Sequence, residues 1–245
     1  MNFLKLEMVT VVKNLLIIVL LFGMVSCKKT TPANPDVGIV HIDTMRSLKT
    51  YLALGDSYTI GSSVASDQRF PNQAAVLLSQ QGVQVKMPDI VATSGWTTGN
   101  LLSALAGNVP TTNYDIVTLL IGVNNQYQGR TQAEYRIQFS DLLNKAIGYA
   151  RGNKARVFVL SIPDYSVTAF AQNSDTARIA REINEFNAIN KEITNTSGVG
   201  YLDVTGISRE ARLDPSLIAG DGLHPSGKQY ALWVAQLAPM MKSAF

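Results

Sequence analysis

The chain has 245 residues, 46% of them hydrophobic and 16% charged, with a formal net charge of +3. That length allows one α/β-sized domain or two small ones with a sizeable core, and nothing in the composition reads as disordered over a long span. The near balance of charge, without any dense Lys/Arg run, gives no reason to invoke a nucleic-acid partner, and a single cysteine excludes an intrachain disulfide.

At the N-terminus Lys5 and Lys13 precede "LLIIVLLFGMV", Leu15–Val25, which runs into Ser26-Cys27. A basic flank, a short apolar run and a small residue before a cleavage point describe an export signal. The run is shorter than the roughly 20 residues of a comfortable membrane span. "MVSC" resembles the lipobox of bacterial lipoproteins, with Met24 where leucine is usual. The resemblance implies that Cys27 is lipidated and becomes the first residue of an exported chain, lipid-anchored in the bacterial cell envelope. The expected organisation is therefore a signal peptide over 1–26, the lipidated cysteine and a tether over 27–47, and one folded domain over 48–245. Pro32 and Pro35 keep the tether extended. Without residues 1–26 the chain carries 19 basic against 17 acidic side chains, a net of +2.

From about residue 48 short β-rich runs alternate with helical patterns. "TYLALGD" (50–56) is the first strand, and "FPNQAAVLLSQQG" (70–82) reads as a helix stopped by Gly82. "VQVKMPDIVA" (83–92) reads as the second strand, which Pro88 confines to an edge or breaks. A helix over Thr97–Ala106 follows. "YDIVTLLIG" (114–122) is a near-continuous apolar run, as in a parallel strand covered on both faces. Thr131-Gln132-Ala133-Glu134 is a capping box, and Tyr135, Phe139, Leu142, Ala146 and Ala150 recur behind it at helical spacing. "ARVFVLSIP" (155–163) is the fourth strand, and a helix from about Asp175 carries Ile179, Ile183, Phe186 and Ile193 on one face. "VGYLDVTG" (199–206) is the fifth strand. The last helix begins at about Pro225, with Tyr230, Val234, Leu237 and Met241 in register. Five strands separated by helices require a parallel sheet with right-handed crossovers, so the expected fold is a three-layer α/β/α sandwich.

In such sheets ligands bind beyond the carboxyl ends of the strands. The polar, glycine-bearing segments lie there: "GDSYTIGSS" after strand one, "TSGWTTG" after strand two and "GVNNQYQG" after strand three. Topology gathers Ser57, Gly95 and Asn124 along one edge, although Gly, Asp and Ser are also what an ordinary turn uses. Of the two histidines, His41 precedes the first strand and reads as a surface or packing residue. His224 sits in "AGDGLHPSG", three residues after Asp221 and before Pro225, which can serve as a first helical residue. An Asp-x-x-His at a helix start can be a simple Asx turn. It can equally supply the imidazole base that a serine hydroxyl needs, with a carboxylate fixing the tautomer.

With these blocks the chain resembles the SGNH, or GDSL-type, hydrolase family. "GDS" carries the family's nucleophile at Ser57, "SGWT" the oxyanion glycine at Gly95, "GVNN" the oxyanion asparagine at Asn124, and "DGLHP" the pair Asp221 and His224. The family's aspartate after the oxyanion asparagine is Asn125 here. The resemblance implies a flavodoxin-like sheet of strand order 2-1-3-4-5 and ester hydrolysis without metal or cofactor. It implies an oxyanion hole formed by the Ser57 and Gly95 N–H groups and the Asn124 amide. The family includes esterases, lysophospholipases, thioesterases and carbohydrate O-acetyl esterases. Tyr58, Trp96, Tyr127 and Tyr165 lie in or beside the edge loops as pocket candidates, and an aromatic face serves a sugar ring or an acyl chain equally. There is no Gly-x-Ser-x-Gly elbow, no phosphate-binding Gly-x-x-x-x-Gly-Lys-Ser/Thr, and two scattered histidines do not build a typical zinc enzyme. The rival from another class is an envelope-anchored binding lipoprotein that keeps the fold without activity.

Overall fold

The computed structural model describes residues 48–107 and 113–245. The expected signal peptide, Cys27, the tether and His41 lie outside the described residues.

β1 (Tyr51–Gly55) leads through a one-turn helix α1 (Ser57–Ile60) to α2 (Phe70–Gln80), and β2 (Asp89–Ala92) leads to α3 (Thr98–Gly107). β3 (Ile116–Leu120) is followed by a short α4 (Val123–Tyr127) and a long α5 (Gln132–Tyr149). β4 (Val157–Leu160) precedes α6 (Thr176–Ser197), and β5 (Gly200–Leu202) is followed by a short α7 (Thr205–Arg209) and by α8 (Gly227–Lys242). The five strands form one parallel sheet in the order β2-β1-β3-β4-β5. This is the expected order. β1, β3 and β4 are buried along their whole length, while β2 and β5, the two edges, are only partly covered. That difference follows from layering: α2 packs on α8, and α5 packs between α3 and α6. Phe70, Tyr230 and Trp233 fill the first layer, with the Tyr230 and Trp233 rings 4.9 Å apart. Tyr135, Phe139 and Phe186 fill the second.

Several boundaries differ from the sequence reading, each for a local reason. Val85 pairs with Lys49 in an isolated bridge, and β2 resumes only at Asp89. Pro88, with no N–H to give the ladder, separates the two pieces. The run 199–206 divides because Ser161 Oγ accepts from the Val204 and Thr205 N–H groups, which turns the chain out of the sheet into α7. Pro225 is not the first residue of α8. Ser226 is the N-cap, accepting from Gln229 N–H at 3.3 Å, while Pro225 bridges to Ile218. The capping box is half formed: Thr131 Oγ1 accepts from Glu134 N–H, but Glu134 Oε1 accepts from Gln138 instead of reaching back.

Register positions the site. Ala92, Gly55 and Leu120 end β2, β1 and β3 side by side. The segments leaving these strands therefore emerge next to one another at one edge.

Candidate active site

At Gly55 the end of β1, the start of α1 and the end of β3 meet. A Cβ there would lie 2.1 Å from Thr59 Oγ1 and 2.4 Å from the Leu120 carbonyl oxygen, so only glycine fits. Asp56 is the N-cap of α1, its Oδ1 accepting from Tyr58 N–H at 3.0 Å. That cap makes Ser57 the first residue of a helix at the carboxyl end of a central strand, 6% exposed. The rest of the Asp56 carboxyl is sealed in, and Oδ2 has no hydrogen-bond partner among the described residues. Burial pushes its pKa up to about 7, against the pull of nearby backbone N–H groups, that of Tyr58 first.

Gly95 sits in the turn after β2 with φ +84, a conformation glycine adopts without strain. Asn124, in the first turn of α4, donates from Nδ2 to the Trp96 carbonyl at 3.0 Å. One amide N–H thereby fixes the plane of the side chain and leaves the second as a free donor. Asn125 is fully buried: its Oδ1 accepts from Thr98 N–H at 2.9 Å and its Nδ2 donates to Thr98 Oγ1 at 2.7 Å. Thr98 in turn donates to Gln138 Oε1. The amide thus clamps the start of α3 to α4, and the hydroxyl proton of Thr98 is directed onward to α5.

Asp221 divides its two oxygens between the turn and the imidazole. Asp221 Oδ1 accepts from the N–H groups of Leu223 and His224, each at 3.0 Å, which closes the Asx turn. Oδ2 lies 2.6 Å from His224 Nδ1. A proton held on Nδ1 by this contact leaves Nε2 as the basic nitrogen. The imidazole is also flanked by the Tyr58 ring, edge-on at 5.7 Å between centroids. Sequence reasoning gave no sign of Ser63, whose Oγ donates to the same Asp221 Oδ2 at 2.6 Å and whose φ is +65. Partial burial raises the Asp221 pKa, but hydrogen bonds from Ser63, His224 and the two backbone N–H groups outweigh it and hold the carboxyl well below the usual range.

Ser57, Gly95, Asn124 and His224 line one cavity of about 190 Å³. No hydrogen bond joins Ser57 Oγ to the imidazole here; such contacts commonly tighten only around substrate. Tyr58, Tyr127 and Tyr165 line the same cavity. Trp96 does not: its ring packs against the core, and its contribution is the carbonyl that orients Asn124. Phe170, in the loop after β4, completes the wall and was missed, although a large apolar residue at this sheet edge is a visible signal. Among the described residues no group of three or more His, Cys, Asp or Glu side chains is placed to hold a metal ion.

Residues 53–232 match the GDSL-like lipase/acylhydrolase family. The fold is similar to that of TesA, at TM-score 0.61 and 17% identity over 80% of this chain and 100% of that one. It is similar to a lipase/acylhydrolase from Enterococcus faecalis, at TM-score 0.61 and 18% identity over 79% of this chain and 96% of that one. It is similar also to Axe2, an acetylxylan esterase from Geobacillus stearothermophilus, at TM-score 0.60 and 18% identity over 79% and 94%. No curated protein sequence matches the chain.

Proposed function

The chain belongs to the GDSL-like lipase/acylhydrolase family, and on that premise we propose that it cleaves carboxylic esters through a covalent acyl-enzyme formed on Ser57. Ser57 Oγ attacks the carbonyl carbon while His224 Nε2 takes its proton. The oxyanion is held by the N–H groups of Ser57 and Gly95 and by the free N–H of the Asn124 amide. The tetrahedral species collapses, the C–O bond to the alcohol breaks, and the imidazolium returns its proton to the departing alkoxide. Water, deprotonated by His224, then releases the acid and restores Ser57. Asp221 holds the tautomer and offsets the charge of the imidazolium throughout.

The observation that carries this reading is the 2.6 Å contact of His224 Nδ1 with Asp221 Oδ2, on an imidazole that lines one cavity with Ser57. The small volume of that cavity supports a short acyl group over the long chains of a lysophospholipase or a long-chain thioesterase. A fluorophosphonate probe tests the mechanism: the reading requires labelling at Ser57, abolished in His224→Ala. A protein that only binds ligands would carry no label.

We propose also that the chain is exported and held in the bacterial cell envelope by a lipid on Cys27. The support is the basic, apolar and small-residue order of residues 1–27. Metabolic labelling with a fatty acid, lost in Cys27→Ala, is the test.

A further inference from the structure

A second cleft, of about 480 Å³, opens beside the catalytic cavity between the start of α5, the loop after β4 and the first turns of α6. The two spaces share one wall, made of Tyr127, Tyr165 and Phe170, whose ring centroids lie 6.1–6.3 Å apart. Tyr127 and Phe170 stand out from it, 60% and 49% exposed. The Phe170 N–H donates to the Gly222 carbonyl at 3.0 Å, so the wall is tied to the turn that carries His224.

An aromatic ridge alone suits a sugar ring or an acyl chain equally. The floor of the cleft separates the two. Tyr165 hydroxyl donates to Gln126 Oε1 at 2.9 Å, Gln126 Nε2 donates to Glu182 Oε2 at 2.7 Å, and Glu182 Oε1 lies 3.6 Å from Arg178 Nη1. Gln132 Nε2 donates to Glu185 Oε2 at 2.7 Å on the opposite side. Gln126 is buried. These groups line the cleft as a held array of donors and acceptors leading away from the reacting centre; a hydrocarbon chain laid over them would displace water from their remaining lone pairs and N–H groups and return no hydrogen bond. Their formal charges also cancel, Arg130 and Arg178 against Glu182 and Glu185, with Arg178 within ion-pair distance of Glu182, so the cleft carries no net charge.

We infer that this cleft binds the alcohol part of the ester, and that this part is a neutral, hydroxyl-rich group of the sugar kind, stacked on Tyr127 and Phe170. The inference rests on the ester-hydrolase reading of Ser57 and adds the substrate class to it. The apolar cavity at Ser57 then takes the acyl group, and the hydroxyls of the leaving group meet the amides and carboxylates beyond the ridge.

The test compares 4-nitrophenyl acetate, 4-nitrophenyl octanoate and a mono-O-acetylated cellobiose on the purified full-length chain and on Gln132→Ala, Arg178→Ala and Tyr127→Ala. The first two variants touch the cleft and not the catalytic cavity. The inference predicts that each of these two lowers kcat/KM for the acetylated disaccharide about tenfold, through KM, and changes 4-nitrophenyl acetate less than about twofold, while Tyr127→Ala lowers turnover of the disaccharide ester. Equal effects on both acetates, or none on the disaccharide ester, would overturn it. So would a Tyr127→Ala loss confined to octanoate, which would assign the ridge to the acyl chain. Absence of Ser57-dependent turnover of 4-nitrophenyl acetate would remove the underlying reading instead, whereas retained aryl turnover with indifferent cleft variants removes only the inference.

Discussion

Ser63 Oγ donates to Asp221 Oδ2 at 2.6 Å, the same oxygen that lies 2.6 Å from His224 Nδ1. The carboxylate is thus held from two sides, by the His224 imidazole and by a hydroxyl 158 positions away in the chain. Ser63 occupies the left-handed region at φ +65, which costs a non-glycine residue about 1–2 kcal/mol and is tolerated here in exchange for that hydrogen bond. Ser63→Ala is expected to lower kcat about tenfold with KM little changed. Ser63→Gly relieves the backbone and is expected to show the same kcat loss with higher thermal stability than Ser63→Ala. Wild-type kcat in Ser63→Ala would show that Asp221 needs no second support.

Asn124 spends one amide N–H on the Trp96 carbonyl, and the other is the donor that the proposed oxyanion hole uses. Loss of one oxyanion donor typically costs about 2.7–4 kcal/mol in the barrier. Asn124→Ala should therefore turn over roughly 10²–10³-fold more slowly while its unfolding transition stays cooperative. Near-normal turnover would take Asn124 out of the mechanism.

Asn125 stands where the family carries aspartate, and its clamp on Thr98 explains how an amide serves there. Asn125→Ala leaves the buried Thr98 N–H without its acceptor and is expected to cost about 1–3 kcal/mol by urea denaturation. Asn125→Asp keeps that acceptor but competes with Gln138 for the single Thr98 hydroxyl proton, so its loss should be smaller than that of the alanine variant. A reversed order would mean that the donor half of the amide, rather than its acceptor half, holds the clamp.

Asp56 binds a proton more tightly folded, with a pKa of about 7, than unfolded, near 3.8. Its contribution to stability is therefore full below about pH 4 and is lost as pH rises through about 7. Asp56→Asn keeps an acceptor for Tyr58 N–H and removes the titration. The Tm of the wild type relative to this variant should fall between pH 4 and 7. A constant difference across that range would contradict the buried, protonated carboxyl.

The strand order and the blocks around Ser57, Gly95, Asn124 and His224 were legible because both rest on local pattern. Apolar runs such as 114–122 mark covered strands, and parallel connectivity then sends the segments after them to one edge. What was not legible depends on contacts distant in sequence. Ser63 reads as one more small polar residue in a loop, and only the folded chain brings it to Asp221. The early end of β5 is set by Ser161, just past the end of β4, through the N–H groups it captures. Trp96 is a pocket candidate by sequence, but aromatic character in a loop does not say whether the ring or the carbonyl faces the site.

The most direct test of the account is the hydrolysis of aryl esters from acetate to long acyl chains, with Ser57→Ala as the control. The account predicts turnover that depends on Ser57 and declines as the acyl chain lengthens beyond what the cavity of about 190 Å³ holds. No Ser57-dependent turnover of any ester, from a chain that unfolds cooperatively, would contradict it.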